Sequence, residues 1–87
     1  MKIFLDTIDL TEIKKYNEIL EIAGVTTNPN LARRFGMSDD IEMVKEIGKV
    51  IGKNKEIHVE AFGDTSEEII KNSHRIKKNC SNLNLVF

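Results

Sequence analysis

Two carboxylates, Asp6 and Glu60, and one amide, Asn28, each stand at or near the end of a short run of β-forming residues. Two hydroxyls, Thr26 and Thr27, directly precede the amide. Carboxylates hold and transfer protons, and amides and hydroxyls hydrogen-bond polar ligands. The set suits acid/base work, provided the chain brings three separate run-ends together. Side chains alternate along a strand, so Phe4 and Asp6 share one face, as do His58 and Glu60. If the strands are parallel, their ends form one rim. Two carboxylates and an amide then converge on one cavity.

The elements that must position them follow from periodicity. Lys2 to Asp6 is a short apolar run that predicts a strand. Asp9 caps a helix over about 9–20, with Glu12 three residues on in a capping-box-like pattern. Ile22 to Thr27 is β-like and runs into Asn28-Pro29, a strong N-cap followed by the residue favoured at the first helical position. A short helix from Pro29 to about Phe35 ends at Gly36. Ser38-Asp39-Asp40 opens another, with Ile41, Val44, Ile47 and Ile51 on one face, and Gly52 and Asn54 stop it. Glu56 to Phe62 alternates as a third strand. Asp64-Thr65-Ser66 with Glu67-Glu68 starts an acidic, capped helix whose face carries Ile69, Ile70, Ser73, Ile76 and Cys80. Leu83 to Phe87 is a fourth strand.

The order β-α-β-α-α-β-α-β predicts an α/β domain over residues 1–87 with a parallel sheet. Parallel sheets are covered on both faces or closed into barrels. A complete (β/α)₈ barrel takes roughly 250 residues. The four strands here are roughly half of one, open unless completed by self-association. Barrel sites lie at the C-terminal strand ends, where Asp6, Thr26, Asn28 and Glu60 fall.

Composition excludes several other classes. The 87 residues are 40% hydrophobic and 31% charged, with net charge −1, so neither a nucleic-acid nor a membrane partner is expected. The N-terminal apolar run is too short for a signal peptide, and no segment approaches the roughly 20 apolar residues of a membrane span. A cytoplasmic location is the expectation. Cys80 is the single cysteine, so no disulfide forms within the chain, and it reads as a small buried apolar residue.

The run Ala23-Gly24-Val25-Thr26-Thr27-Asn28-Pro29 resembles the signature of the transaldolase family, in the small subgroup that includes fructose-6-phosphate aldolase. Phe4-Leu5-Asp6-Thr7 upstream and Val59-Glu60-Ala61 on the third strand are also similar. The resemblance implies the first half of a (β/α)₈ barrel and Schiff-base chemistry, in which a lysine amine attacks the ketone of a sugar phosphate. It gives Glu60, working with a water, the acid/base role in dehydrating the carbinolamine. Asp6 matches the base that takes the proton of the C4 hydroxyl. Asn28 and Thr26 match groups that hydrogen-bond substrate hydroxyls or the water. No cofactor and no metal are implied.

The nucleophile is where this sequence departs from the pattern. The resemblance puts the lysine in strand four, just after the position of Phe87. Lys77 and Lys78 fall on the preceding helix and do not match the motif. The serine and arginine that hold the substrate phosphate belong to later strands. The implied parent activity is transfer of a dihydroxyacetone unit between sugar phosphates, in the pentose phosphate pathway, or the lyase reaction of fructose-6-phosphate aldolase. The 87-residue chain is expected to be inactive alone. A non-catalytic half-barrel that persists by self-association is the alternative. Open edges and an apolar inner face predict a homo-oligomer.

Structural readings compete at several positions. Asp6 can cap a loop, Asn28 caps a helix in any case, Thr27 can hold a turn, and Glu60 can pair with a lysine. His58-Val59-Glu60 has the H-x-E pattern of zinc deaminases, but the accompanying P-C-x-x-C is missing. His58 then reads as an inward or rim filler and His74 as a surface residue. Arg33-Arg34 can meet a phosphate, although paired arginines on a short helix are commonly solvated.

Overall fold

The computed structural model describes residues 2–87. Strands β1 (Phe4–Asp6), β2 (Gly24–Thr26), β3 (Glu56–His58) and β4 (Asn84–Val86) form one parallel sheet in the order β1-β2-β3-β4. Helices α1 (Leu10–Ile19), α2 (Pro29–Arg34), α3 (Asp40–Ile51) and α4 (Ser66–Asn79) intervene in the predicted sequence. Sequential neighbours joined by helical crossovers are the arrangement of successive units of a (β/α) barrel.

Every strand is shorter than its apolar run. Hydrogen-bonded pairing covers three residues in each, where the alternation predicted five to seven. The third strand is the largest difference, since β3 ends at His58 and not at Phe62. Its alternation continues regardless: Ile57, Val59 and Ala61 are buried, and Glu60 is exposed. The Val59 N–H still donates to the Val86 carbonyl at 2.8 Å, which holds the segment extended past the strand.

The register assigns the two faces. Leu5, Val25, Ile57 and Leu85 are aligned across the sheet and pack toward the helices. Helix α3 supplies the centre of this layer, burying Met43, Val44, Ile47 and Ile51. Each fully buried aliphatic side chain contributes roughly 1.5–3 kcal/mol. Among the described residues α3 packs closely against both α1 and α4, whereas neither of those two packs closely against any other helix. The consequence corrects part of the predicted α4 face: Ile76 and Cys80 are buried, but Ile70 is 58% exposed. Leu20, beyond α1, is exposed as well.

The opposite face carries Phe4, Asp6, Thr26, Glu56, His58, Asn84 and Val86 in register, and among the described residues no helix covers it. The expectation of an apolar inner face is not met. His58 Nε2 lies 3.0 Å from Glu56 Oε1, and Lys2 Nζ lies 3.9 Å from Glu56 Oε2. The His58 ring meets the Phe4 ring edge-on, with centroids 4.8 Å apart, across the intervening β2. Gly24 leaves the space between them open. A Cβ at Gly24 would collide with the backbone carbonyl of Glu56, so only glycine permits this approach of β2 and β3.

Local hydrogen bonds set the helix starts. Asp9, Asn28, Asp39 and Thr65 cap α1 to α4 with their own side chains. At α1 the return arm of the expected capping box is replaced: the Asp9 N–H donates to the Thr7 hydroxyl at 3.1 Å, not to Glu12. Among the described residues no helix is long and apolar enough to cross a membrane.

Candidate functional site

The sheet sends the predicted residues to one rim. A cavity of about 530 Å³ opens there, and Asp6, Asn28 and Glu60 line it together, with Pro29, Leu31 and Arg34. Thr26 stands at the end of β2, beside Asp6 in the β1–β2 register. Its Oγ1 donates to Asp6 Oδ1 at 2.9 Å, and the Leu5 carbonyl lies 3.5 Å from the same hydroxyl. Thr26 therefore fixes one oxygen of the carboxylate and does not itself line the cavity.

Thr27 has the structural role of the turn-holding reading. Its hydroxyl donates to the His58 carbonyl at 3.0 Å and its N–H donates to the same oxygen at 2.9 Å. The two bonds tie the end of β2 to β3 and hold Asn28 at the rim. Asn28 Oδ1 accepts from the Leu31 N–H at 2.9 Å as the N-cap of α2. Capping engages the side-chain carbonyl and not the NH₂ group, so Asn28, which lines the cavity, keeps its two donors.

Glu60 is placed from behind. Val59 and Ala61 are anchored in the core on either side of it. Just beyond, the Phe62 backbone is held at both ends: its N–H donates to Asp40 Oδ2 at 3.2 Å, and its carbonyl accepts from Asn72 Nδ2. Asp40 is buried at the start of α3, one residue past the capping Asp39. In the sequence Asp40 stands out only as part of a helix start, and Asn72 carries no motif. The signal available was a second aspartate directly after a sufficient cap.

The two arginines of α2 part company. Arg34 lines the cavity of Asp6, Asn28 and Glu60, while Arg33 lines a separate depression with Phe62 and Asp64. His58 is half-buried on the open face, and His74 is exposed. Cys80 is buried, and burial pushes its thiol above the usual range. Among the described residues no three of His, Cys, Asp and Glu gather closely enough to hold a metal ion.

A parallel sheet whose C-terminal rim bears two carboxylates, an amide and a fixed threonine defines half of a (β/α) barrel with a polar cluster at its C-terminal strand ends. The profile of the Transaldolase/Fructose-6-phosphate aldolase family matches residues 3–86, and the chain belongs to that family. It is 42% identical over 78 residues to a probable fructose-6-phosphate aldolase of Streptococcus pneumoniae, covering 90% of this chain and 35% of that protein. It is 41% identical, over the same shares, to a probable transaldolase of Thermoanaerobacter sp.. A probable transaldolase of Methanococcus maripaludis is 34% identical over 95% of this chain and 37% of its own length. The chain thus spans about a third of the length of these relatives.

Proposed function

We propose that residues 1–87 supply the acid/base half of a Schiff-base site for a sugar phosphate. The carrying observation is the single cavity shared by Asp6, Asn28 and Glu60 at the C-terminal rim. The nucleophilic lysine comes from outside these residues. Its amine adds to the ketone carbon, and the carbinolamine loses water to give the Schiff base. Glu60, through a water, returns and removes the protons of that step. Asp6 then takes the proton of the C4 hydroxyl, the C3–C4 bond breaks, and its electron pair passes to the Schiff-base nitrogen. The Thr26 hydroxyl holds Asp6 Oδ1, so the other oxygen, Oδ2, receives the proton. Asn28 donates its NH₂ to a substrate hydroxyl.

Transfer of the resulting three-carbon unit to an aldehyde gives transaldolase activity, and release of that unit gives aldolase activity. The relatives of both names support either outcome. A polypeptide of these 87 residues binds the sugar and does not form the covalent bond. Borohydride treatment with dihydroxyacetone, read by intact mass, is expected to leave it unmodified. Fructose 6-phosphate is expected to shift the amide resonances of Asn28 and Glu60. A covalent adduct would contradict the external nucleophile, and unshifted resonances would contradict the site.

One observation favours a second reading, a self-associated half-barrel without catalysis. Among the described residues both outer strands, β1 and β4, have an unpaired edge. Beside them Ile3, Val86 and Phe87 are exposed, and Leu83, Leu85 and Phe87 line a groove at the β4 edge. In this reading the drive comes from the edges, since the inner face is polar. Two copies related by a twofold axis along the barrel would join β4 of each to β1 of the other. Light scattering on the 87-residue polypeptide is expected to give twice its 9.9 kDa mass; a folded monomer at tens of micromolar excludes this reading.

A further inference from the structure

Arg33 and Arg34 end the same six-residue helix but serve different surfaces. Successive helical residues are rotated by about 100°, so neighbours cannot share a face. Arg33 turns toward Asn30, with Nη1 3.5 Å from Asn30 Oδ1, and lines the depression of Phe62 and Asp64. Arg34 faces the cavity of Asp6, Asn28 and Glu60 and is the one cation among its lining residues. Among the described residues it takes part in no ion pair.

The cavity is therefore polarised. Carboxylates stand at the strand ends, and an uncommitted guanidinium stands on α2. A neutral polyol would use the acids and leave Arg34 without a partner. An anion placed beside Asp6 and Glu60 would meet like charge. A molecule with hydroxyls at one end and an anion at the other satisfies both ends at once. The guanidinium fork matches a phosphate monoester in two parallel hydrogen bonds. A volume near 530 Å³ lies in the range of small-molecule sites.

We propose that Arg34 binds the phosphate of a polyol phosphate whose hydroxyls face Asp6, Asn28 and Glu60. This rests on the reading of the cavity as a sugar-phosphate site and adds an orientation to it. The contact is additional to the serine and arginine that the family resemblance puts on later strands. Arg34 is thus a specificity-determining residue, separating phosphorylated from unphosphorylated polyols.

The test is an NMR titration of the 87-residue chain with inorganic phosphate, fructose and fructose 6-phosphate, in parent and variants. Phosphate is expected to shift the side-chain Nε–H signal of Arg34 and spare that of Arg33. Fructose 6-phosphate is expected to bind about three- to ten-fold more tightly than fructose, the scale of one partly exposed ion pair. Arg34→Met is expected to abolish that ratio, so that fructose 6-phosphate and fructose bind the variant alike, and Arg34→Lys to retain part of it. Arg33→Met, with the same change of charge, is expected to leave the ratio intact. Circular dichroism confirms that each variant is folded, which the exposed position favours. A ratio that survives Arg34→Met, or that falls equally in Arg33→Met, overturns the proposal. Shifts at Asn28 and Glu60 with fructose but none at Arg34 with phosphate also overturn it, while leaving the sugar site standing. Phosphate shifts at Arg34 with no sugar-dependent shift at Asn28 or Glu60 would instead sink the sugar reading.

Discussion

The hydroxyl of Thr26 donates to Asp6 Oδ1 at 2.9 Å, joining the end of β2 to the end of β1. The bond spans 20 residues of sequence and belongs to the rim, not to the sheet ladder. It restrains a carboxylate that is otherwise exposed. A net hydrogen bond to a charged acceptor is worth about 1.5–3 kcal/mol at most, and less where water competes. Thr26→Val should therefore destabilise the chain by about 1 kcal/mol in urea titration. Thr26→Ser should recover most of the loss. Equal midpoints for the valine and serine variants would show that the bond contributes nothing.

Gly24 makes a sharper prediction. Its missing Cβ is required by the backbone of Glu56, which cannot move without parting β2 from β3. Gly24→Ala should cost at least the roughly 1–3 kcal/mol of core overpacking. Gly48, in the middle of α3, is the contrast. A Cβ there would meet the Leu83 side chain, its two methyl groups at 2.6 and 2.7 Å and its Cγ at 3.3 Å, and a side chain can turn aside where a backbone cannot. Alanine also gains about 1 kcal/mol of helix propensity over glycine. Gly48→Ala should thus be the milder change by thermal melting, and the reverse order would contradict this view of the β2–β3 approach.

Much of this architecture is legible in the residues because its signals are local. Asp9, Asn28, Asp39 and Thr65 announce helix starts, and the apolar period separates α3 from the strands around it. The convergence of Asp6, Asn28 and Glu60 is also legible, since parallel strands and side-chain alternation suffice to predict it. Features that depend on partners far along the chain are not. Pairing length is one, because a residue such as Glu60 lies in an apolar alternation yet has no ladder partner. The exposure of Ile70 is another, because it depends on α4 having no helix beyond it. The polarity of the inner face required the register that sets Glu56 beside Gly24 and Asn84. Helical rotation alone separates Arg33 from Arg34, but which of the two meets the cavity depends on how α2 docks.

The backbone clamp on Phe62 should be felt at Glu60, two residues away. Asp40 Oδ2 accepts from the Phe62 N–H, and Asn72 donates to its carbonyl. Asp40→Ala removes the acceptor and strands a part-buried N–H, at about 1–3 kcal/mol. Amide exchange at Phe62 should accelerate in step with that loss. Asn72→Ala should loosen the same segment with a smaller cost, as the carbonyl has a second lone pair for water. If Phe62 exchanges at the parent rate in Asp40→Ala, the clamp is not what holds the Glu60 segment.

Cys80 reports on the core through pH. Burial raises its thiol, the Asp40 carboxylate raises it further, and Lys45 offsets part of the effect. The unfolded thiol titrates near its ordinary value of about 8.5. Between that value and the higher folded one, the unfolded chain has lost its proton and the native chain has kept it. The unfolded state then binds fewer protons, so stability falls as pH rises through this window. Below about pH 8 the contribution is fully present. Urea midpoints measured from pH 7 to 10 should decline more steeply for the parent than for Cys80→Ala, which has no thiol to titrate. Ellman's reagent at pH 8 should react slowly with the native chain and rapidly in 6 M guanidinium, in keeping with a side chain only 1% exposed. Parallel pH profiles for parent and variant, or fast native labelling, would contradict the packing of Cys80 beneath α4.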